Sequence, residues 1–341
     1  MKSYGELREL ARAWRVLGET PGARAALVTI LRTSGSTFRR VGAAMLVRAD
    51  GSVVNPLAGG CPQREIVERS LTVMSEGRIA YVAYNAEQGL DLLMEAGCGG
   101  ELEVAIEPIH GELPAFLGDL DAMLASNDAF RIVTSFPAPD ARSPATRSLI
   151  RVEGDDGEGV TRDKAMSEPW EGGFRLLETF DAPVSLIVAG ASHEARELAY
   201  LASRMGWRGV VVDTSVERLE HMNLDAPGWH AVEVRPERLA HTLRVHASTA
   251  VVSMTHNLEL DIAYLRAGQA CSAFYLGALG SQQRARTIAH AVPSPTLHVP
   301  AGLDIGSNTS REIALSVVAE IMAARHARDG RALSRSGGPI H

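Results

Sequence analysis

Hydrophobic and polar positions alternate along the second half of the chain in a pattern typical of a parallel α/β fold. An apolar run from Ser185 to Ala189 breaks at Gly190, a helical pattern follows, and a second apolar run from Gly209 to Val212 ends in Asp213. This order of elements predicts a βαβ unit. Because strand-like runs and helical patterns keep alternating downstream, we expect a doubly wound parallel sheet.

The first half of the chain has shorter apolar runs. Apolar residues recur at helical spacing between Leu7 and Leu17, and the run from Ala26 to Leu31 is typical of a strand. Apolar pairs flank Asp50-Gly51, which predicts a β-hairpin with a type I′ turn. The next predicted helix presents a core-facing set of residues. That set is Ile66, Val67, Ser70, Leu71 and Met74.

From Phe136 to Gly173 the chain is rich in proline, aspartate, serine and glycine. This composition is compatible with a peripheral hairpin and favours a domain boundary around residues 170 to 180. We therefore expect an amino-terminal domain over residues 1–175, a carboxyl-terminal domain over 176–330 and a polar tail over 331–341.

Composition narrows the class of protein. The net charge of -7 argues against a nucleic-acid-binding surface, which needs clustered lysine and arginine. No apolar run is long enough for a membrane span, and the charged amino end does not resemble a signal peptide, so we expect a cytoplasmic protein without a membrane partner. Cys61, Cys98 and Cys271 have neither a disulfide-framework nor a zinc spacing.

Four loops follow predicted strands, and the carboxyl ends of parallel strands lie at one edge of a sheet. The loops are Gly190 to His193, Thr255 to Asn257, Gly277 to Arg284 and Gly302 to Asn308. We expect them to converge into one binding site. Its candidate residues are Gly190, Ser192, His193, Asp213, His256, Gly280, Ser281, Arg284 and Asp304.

The turn at Gly190 only partly matches a dinucleotide-binding turn. Gly190 supplies the first glycine and Ala195 is acceptable at the third position, but Ser192 occupies the second, where the backbone should approach a pyrophosphate. Asp213 lies 23 positions after Gly190, close to the roughly 20 residues typical of the acid that binds a ribose hydroxyl. An NAD(P)-dependent oxidoreductase with His193 or His256 as acid-base is therefore one alternative.

The glycine-rich segment before Ser281 resembles a phosphate cradle at a helix start with Arg284 nearby; the alternative is a serine cap on a surface helix. Arg39 and Arg40 carry planar forks suited to phosphate or carboxylate, or else form a solvated turn. Cys61 follows two glycines at a predicted helix start, where the helix dipole favours a thiolate.

Seven collinear segments, over roughly residues 25 to 325, resemble the XdhC/CoxI family of accessory proteins for molybdenum hydroxylases. They are GSTFRRVGAAML, AGGCPQREI, GCGGELEVAIEP, IVAGASHEARELAYLASRMGW, VVSMTHNLELD, FYLGALGSQQRART and GLDIGSNTSREIALSVVAEI. The chain departs from the family pattern at five positions. They are Phe38, Ala44, Ala58, Gln63 and Ser192, where a proline, a nearby lysine, a glycine, an acid and a glycine are usual.

The resemblance implies a smaller mixed α/β amino-terminal domain and a Rossmann-like carboxyl-terminal domain. It also implies a chaperone, not an enzyme, that binds molybdenum cofactor in its molybdopterin or dinucleotide form. Its partners would be a cysteine desulfurase and an apo-enzyme such as xanthine dehydrogenase, and the chain would form a homodimer. Arg39, Arg40 and the turn before Ser281 would meet the phosphate, and Cys61 would contact molybdenum or its sulfur. The second alternative is a docking scaffold without cofactor.

Overall fold

A computed structural model describes residues 4–35, 37, 39–57, 60–84, 101–110, 116–126, 128–139, 141–152 and 164–335. The chain divides into two compact units, Met1–Ala182 and Pro183–His341, so the amino-terminal unit is the longer in sequence. The segment in which composition favoured a boundary contains a strand, Gly173–Phe180, and this strand belongs to the amino-terminal unit.

The amino-terminal unit is mixed α/β, with two antiparallel sheets. Its described helices are α1 (Tyr4–Gly18), α2 (Gly60–Glu76) and α3 (Phe116–Ser126). The strands are β1 (Arg24–Ser34), β2 (Ala44–Arg48), β3 (Val53–Val54), β4 (Ala80–Tyr84), β5 (Glu101–His110), β6 (Phe130–Phe136), β7 (Thr146–Arg151), β8 (Lys164–Trp170) and β9 (Gly173–Phe180). One sheet has the order β3-β2-β1-β5-β4 and the other β7-β6-β9-β8.

The helical periodicity predicted α1 correctly, since Leu7, Leu10, Ala11, Trp14 and Leu17 are all buried in one core cluster. The core face of α2 was predicted less well. Ile66, Ser70 and Met74 are buried, but Leu71 is exposed and Val73 is buried in its place. Leu71 lies five positions after Ile66, or about 140° around a helix with 3.6 residues per turn, and so points away from that face.

The hairpin around Asp50-Gly51 joins β2 to β3 as predicted, but its turn is not type I′. A type I′ turn needs positive φ at both central residues. Here only Gly51 has positive φ (80°), and its N–H donates to the Arg48 carbonyl at 2.9 Å. A type I′ geometry occurs instead at Glu171 and Gly172 (φ 46° and 79°), in the β8–β9 hairpin.

A buried ion pair links the two sheets of the amino-terminal unit. Arg147 on β7 donates to both carboxylate oxygens of Glu107 on β5, at 3.2 and 2.5 Å, and the Ala145 N–H donates to the same carboxylate at 3.1 Å. The side chains of Arg147 and Glu107 are only 9% and 4% exposed. Each charge therefore depends on the other for its compensation.

The carboxyl-terminal unit is a six-stranded parallel sheet with helices on both faces. Its strands are β10 (Ser185–Ala189), β11 (Arg208–Asp213), β12 (Trp229–Glu233), β13 (Thr249–Ser253), β14 (Tyr275–Ala278) and β15 (Leu297–His298). Its α-helices are α4 (His193–Arg204), α5 (Val216–His221), α6 (Leu239–Thr242), α7 (Leu258–Ala270), α8 (Gln282–Ala291) and α9 (Ser310–Arg325). Short 3-10 helices form at Pro236–Arg238 and Leu333–Arg335.

The order of this sheet is β12-β11-β10-β13-β14-β15, which is the Rossmann order 3-2-1-4-5-6. Successive residues of β10 face opposite cores: Leu186 and Val188 pack with α4 and α9, whereas Ile187 and Ala189 pack with α7 and α8. The predicted fold class is therefore confirmed. A capping box forms at the start of α9, with Thr309 as the N-cap and Glu312 as its partner.

We expect Arg147→Met to destabilise the full chain by about 3 to 5 kcal/mol, because it leaves Glu107 charged and buried without its partner. Urea unfolding, followed by tryptophan fluorescence, measures the loss; the Arg147 guanidinium lies 5.2 Å from the Trp14 ring centroid. Adding Glu107→Gln should recover at least half of it.

Arg142→Met is the matched control, since Arg142 is an exposed arginine in the connection just before β7. It should change the free energy of unfolding by less than about 0.5 kcal/mol. Equal losses for the Arg142 and Arg147 variants would contradict the importance of the buried pair.

Candidate functional site

The chain reverses its direction of progress across the sheet between β10 and β13, and open α/β sheets bind ligands in the crevice at such a point. The loops after these two strands meet at Gly190. A Cβ atom there would lie 2.6 Å from the Met254 carbonyl oxygen, and φ is 107°, so only glycine fits. The close approach of the two loops therefore requires glycine, which has no side chain, at position 190.

Asp213, predicted to bind a ribose, is already engaged within the protein. Its carboxylate accepts the N–H groups of Ala191 at 2.8 Å and Ser215 at 2.9 Å, and two donors of Arg218 at 2.5 and 3.2 Å. Burial opposes ionisation of Asp213, but these hydrogen bonds outweigh it and lower the pKa of the carboxyl. Asp213 thus fixes the turn after β10 against the end of β11.

Arg284, predicted to meet a phosphate, pairs with a buried acid that sequence reasoning missed. Asp261 is 1% exposed, and Arg284 donates to it through Nε at 3.2 Å and Nη2 at 2.5 Å. The same carboxylate accepts from the Ser253 hydroxyl at 2.7 Å and from the Thr255 N–H and hydroxyl at 3.1 and 2.7 Å. This network joins the carboxyl end of β13 to the start of α8.

A second acid missed from the sequence lies at the start of α4. Ser192 is the N-cap and accepts the Ala195 N–H at 3.2 Å, and the Glu194 carboxylate accepts the Ser310 hydroxyl at 2.9 Å. Burial opposes ionisation of Glu194, yet hydrogen bonds from its own N–H, Ser310 and Ser192, with the charge of His256, lower its pKa. A negative charge therefore occupies the helix start at which dinucleotide folds bind pyrophosphate.

The two candidate histidines are both exposed. His193 lies 2.8 Å from an Arg196 nitrogen and 3.8 Å from Glu197, in the first turns of α4. His256 adopts φ of 59°, a left-handed conformation that is uncommon outside glycine, and lies close enough to Glu194 for a protonated ring to lower the pKa of that carboxyl. The fold therefore brings His256 toward the crevice acid from another loop.

The turn between β14 and α8 differs from the other helix starts around the crevice. The helices that follow β10, β11, β13 and β15 each carry an acid in the first turn; these acids are Glu194, Glu217, Glu259 with Asp261, and Glu312. The first turn of α8 carries none. Gly280 has φ of 153°, and Ser281 caps α8 by accepting the Arg284 N–H at 3.3 Å. An anion meets least opposition here.

The loop that contains the exposed Asp304 is anchored to α9. The Gly302 N–H donates to Glu320 at 2.8 Å, and the Tyr275 hydroxyl donates to the same oxygen at 2.6 Å. His298 stacks on the Tyr275 ring, with centroids 4.4 Å apart. Burial opposes ionisation of Glu320, but its hydrogen bonds outweigh that effect and lower the pKa of this carboxyl. The start of this loop is therefore held in place by Glu320.

In the amino-terminal unit, Arg39 forms an ion pair with Glu6 of α1 at 2.5 Å, whereas Arg40 is exposed. The helix α2 begins at Gly60, so Cys61 lies in its first turn, as predicted. Cys98 and Phe38 lie outside the described residues. Arg39 is thus engaged in a contact inside its own unit.

Two further features are absent from the described residues. No three histidine, cysteine, aspartate or glutamate side chains of the described segments lie close enough together to hold a metal ion. Within the same segments, every helix is too short or too polar to cross a bilayer.

Comparison with known proteins gives a consistent result across both units. Residues 20–85 match the XdhC and CoxI family, and residues 186–321 match the XdhC Rossmann domain. A protein from Bacillus subtilis (strain 168), named as a probable xanthine dehydrogenase subunit, is 25% identical over 324 residues, 88% of this chain and 93% of that protein. The molybdenum cofactor insertion chaperone PaoD from Escherichia coli (strain K12) is 25% identical over 313 residues, 89% of this chain and 84% of PaoD.

A solved structure shows the same fold. The crystal structure of a xanthine dehydrogenase from Bacillus halodurans superposes with a TM-score of 0.72 at 24% identity, covering 96% of this chain and 98% of that one. The matches to both domains are collinear with the motifs in the sequence. The chain belongs to the XdhC and CoxI family.

Proposed function

We propose that this chain is a chaperone that binds molybdenum cofactor and delivers it to a molybdenum hydroxylase such as xanthine dehydrogenase. The observation that carries the proposal is family membership across both units, together with the relative named as a molybdenum cofactor insertion chaperone, which this chain matches over 89% of its length. The relative named for xanthine dehydrogenase supports the choice of client.

The residues of the crevice fit a ligand that carries a phosphate, provided that the phosphate binds at α8. The first turn of α8 has no acid, and the N–H groups at a helix start favour an anion. In this proposal Gly280 and Ser281 hold the phosphate of molybdopterin. Arg284 orients the turn through its ion pair with Asp261, which also compensates its positive charge.

The other candidate residues remain proposed cofactor contacts, each within its own unit. In the carboxyl-terminal unit they are Gly190, Ser192, His193, Asp213, His256 and Asp304, and in the amino-terminal unit Arg39, Arg40 and Cys61. Cys61 supplies a thiol, a soft ligand suited to molybdenum or to contact with its sulfur. When bound, the cofactor supplies the redox-active metal that the client enzyme needs; the chain itself only binds, orients and shields it.

The finer parts of the proposal concern form and partners. The cofactor is molybdopterin or its dinucleotide, a cysteine desulfurase provides sulfur, and the chain acts as a homodimer. These parts rest on the family resemblance alone.

An NAD(P)-dependent oxidoreductase is the second candidate function, because the sheet has the Rossmann order. Glu194 weighs against it. Its carboxylate lies at the start of α4, where it would repel a pyrophosphate, and Ser192 occupies the position of a glycine. A docking scaffold without cofactor is the third candidate.

We expect this protein, expressed in cells that make molybdopterin and purified without air, to carry a pterin detectable by fluorescence after oxidation. Cys61→Ala should reduce the retained pterin at least about tenfold, because a metal–thiolate contact is lost. Cys271→Ala is the matched control: Cys271 is the C-cap of α7 and belongs to no candidate site, so retention should be unchanged.

Wild-type protein that carries no pterin and takes up none in an anaerobic titration would contradict the chaperone. Stable capture of the apo-enzyme by such pterin-free protein would then favour the scaffold. Saturable NAD(P) binding in calorimetry would favour the oxidoreductase instead.

We expect Gln282→Glu to weaken molybdopterin retention about tenfold while leaving the fold slightly more stable. The added acid lies in the first turn of α8, where it interacts favourably with the helix dipole but repels a phosphate. Pterin content and thermal unfolding of the same preparation measure the two opposite effects.

Thr287→Glu adds the same charge beyond the first turn of α8, at another exposed position, and serves as the control. It should leave retention within about twofold of the wild type, since the dipole effect falls off within the first turn. Equal retention in the Gln282 variant and the wild type would place the phosphate elsewhere.

A further inference from the structure

A groove of about 550 Å³ lies on the α4 and α9 side of the carboxyl-terminal unit, and none of the crevice glycines lines it. Its lining includes Arg196 and Tyr200 from α4, Arg311 from α9, and Asp225. This volume lies within the range of roughly 300 to 1,000 Å³ typical of small-molecule sites. The groove is therefore large enough for a ligand of nucleotide size.

Four charged side chains line the groove, Arg196, Arg311, Glu197 and Asp225, and the two arginines lie together in the first turns of α4 and α9. Glu197, whose side chain is 13% exposed, lies 3.5 Å from Arg196 and 3.3 Å from Arg311. One carboxylate thus faces two guanidinium groups, whose side chains are 39% and 84% exposed. Since guanidinium is the group best suited to bind phosphate, this part of the groove can accept an anion.

The groove also offers an aromatic surface. Tyr200 is 52% exposed, and the groove is also lined by the apolar side chains of Leu201 and Ala314. An exposed tyrosine ring beside apolar side chains is a surface on which a planar heterocycle can stack. Asp225 adds an acceptor for the amino groups that such heterocycles carry.

The distribution of charge along α4 explains why an anion would bind in this groove and not at the helix start. Glu194 fills the first turn with a carboxylate that accepts the Ser310 hydroxyl. Arg196 follows two positions later and faces the groove with Arg311. Arg196 therefore offers an anion a binding position on the side of α4, which the start of the helix does not.

We propose that the α4–α9 groove binds a planar nitrogen heterocycle that carries a phosphate, with the phosphate at Arg196 and Arg311 and the ring on Tyr200. Two ligands share this chemistry: a free nucleoside monophosphate, and molybdopterin if its phosphate binds here instead of at Gly280 and Ser281. The inference stands on the groove alone and does not require the proposed chaperone function.

The test is calorimetric titration of the full chain with GMP, AMP, CMP, guanosine, inorganic phosphate and anaerobically prepared molybdopterin. We expect at least one phosphorylated heterocycle to bind at least about tenfold more tightly than both guanosine and inorganic phosphate, since ring and phosphate each contribute. Arg311→Ala and Tyr200→Ala should each weaken that binding about tenfold.

Glu197→Gln separates a binding role from a structural one. Removing the carboxylate that the two guanidinium groups share should tighten binding of the phosphorylated ligand about threefold or more, whereas a purely structural ion pair predicts no gain. Leu315→Ala, at an exposed position of α9 outside the groove lining, is the control and should leave the affinity unchanged.

The two sources of the ligand are distinguished by the same variants. Loss of nucleotide binding in Arg311→Ala with unchanged molybdopterin binding identifies a free nucleotide, and a parallel loss of molybdopterin identifies the cofactor. The proposal is overturned if no phosphorylated heterocycle binds, if inorganic phosphate binds as tightly, or if correctly folded Arg311 and Tyr200 variants bind like the wild type.

Discussion

Asp261 lies in the interior of the carboxyl-terminal unit with 1% of its surface exposed, and a buried carboxylate is tolerated only where donors surround it. Those donors come from the last residue of β13, from the loop after it and from Arg284 in the first turn of α8. The carboxylate therefore fixes two neighbouring walls of the crevice in one arrangement. Arg284 cannot leave this site without exposing Asp261 to the cost of an unpaired charge.

Acids at helix starts give this Rossmann-type sheet its particular chemistry. A carboxylate in the first turn stabilises its own helix through the dipole but opposes an external anion. Because Glu194 and Ser192 lie where a pyrophosphate would approach the turn after β10, the familiar strand order does not entail the familiar cofactor. The start of α8 and the side of α4 are the places where we propose that a phosphate binds.

The sequence was sufficient to predict elements whose burial follows a local period. The helical face of α1 and the alternation of strands and helices in the second unit both depend on residues close together in the chain. The residue types of Asp50-Gly51 favour a type I′ turn, but this geometry occurs at Glu171-Gly172 instead. The pairing of the strands on both sides of a turn decides which type is used.

The candidate site was harder to predict, because the role of a charged side chain depends on whether another charged side chain pairs with it. Arg39 and Arg284 have the chemistry of anion-binding groups, but each forms an ion pair, with Glu6 and Asp261 respectively. These partners lie 33 and 23 positions away in the chain, so no local pattern reveals them. Asp261 lies within one of the collinear motifs, but only the packed structure shows that it is buried.

The packing of α9 on α4 also bears on how the chain is made. The apolar faces of both helices share one core with Leu186 and Val188 of β10. A ribosome releases α4 long before α9, so the part of this face that α9 covers stays open until the chain has grown past about Ile321. Nascent chains of this protein thus expose a hydrophobic surface during most of the synthesis of the second unit, which makes assisted folding or fast elongation an advantage.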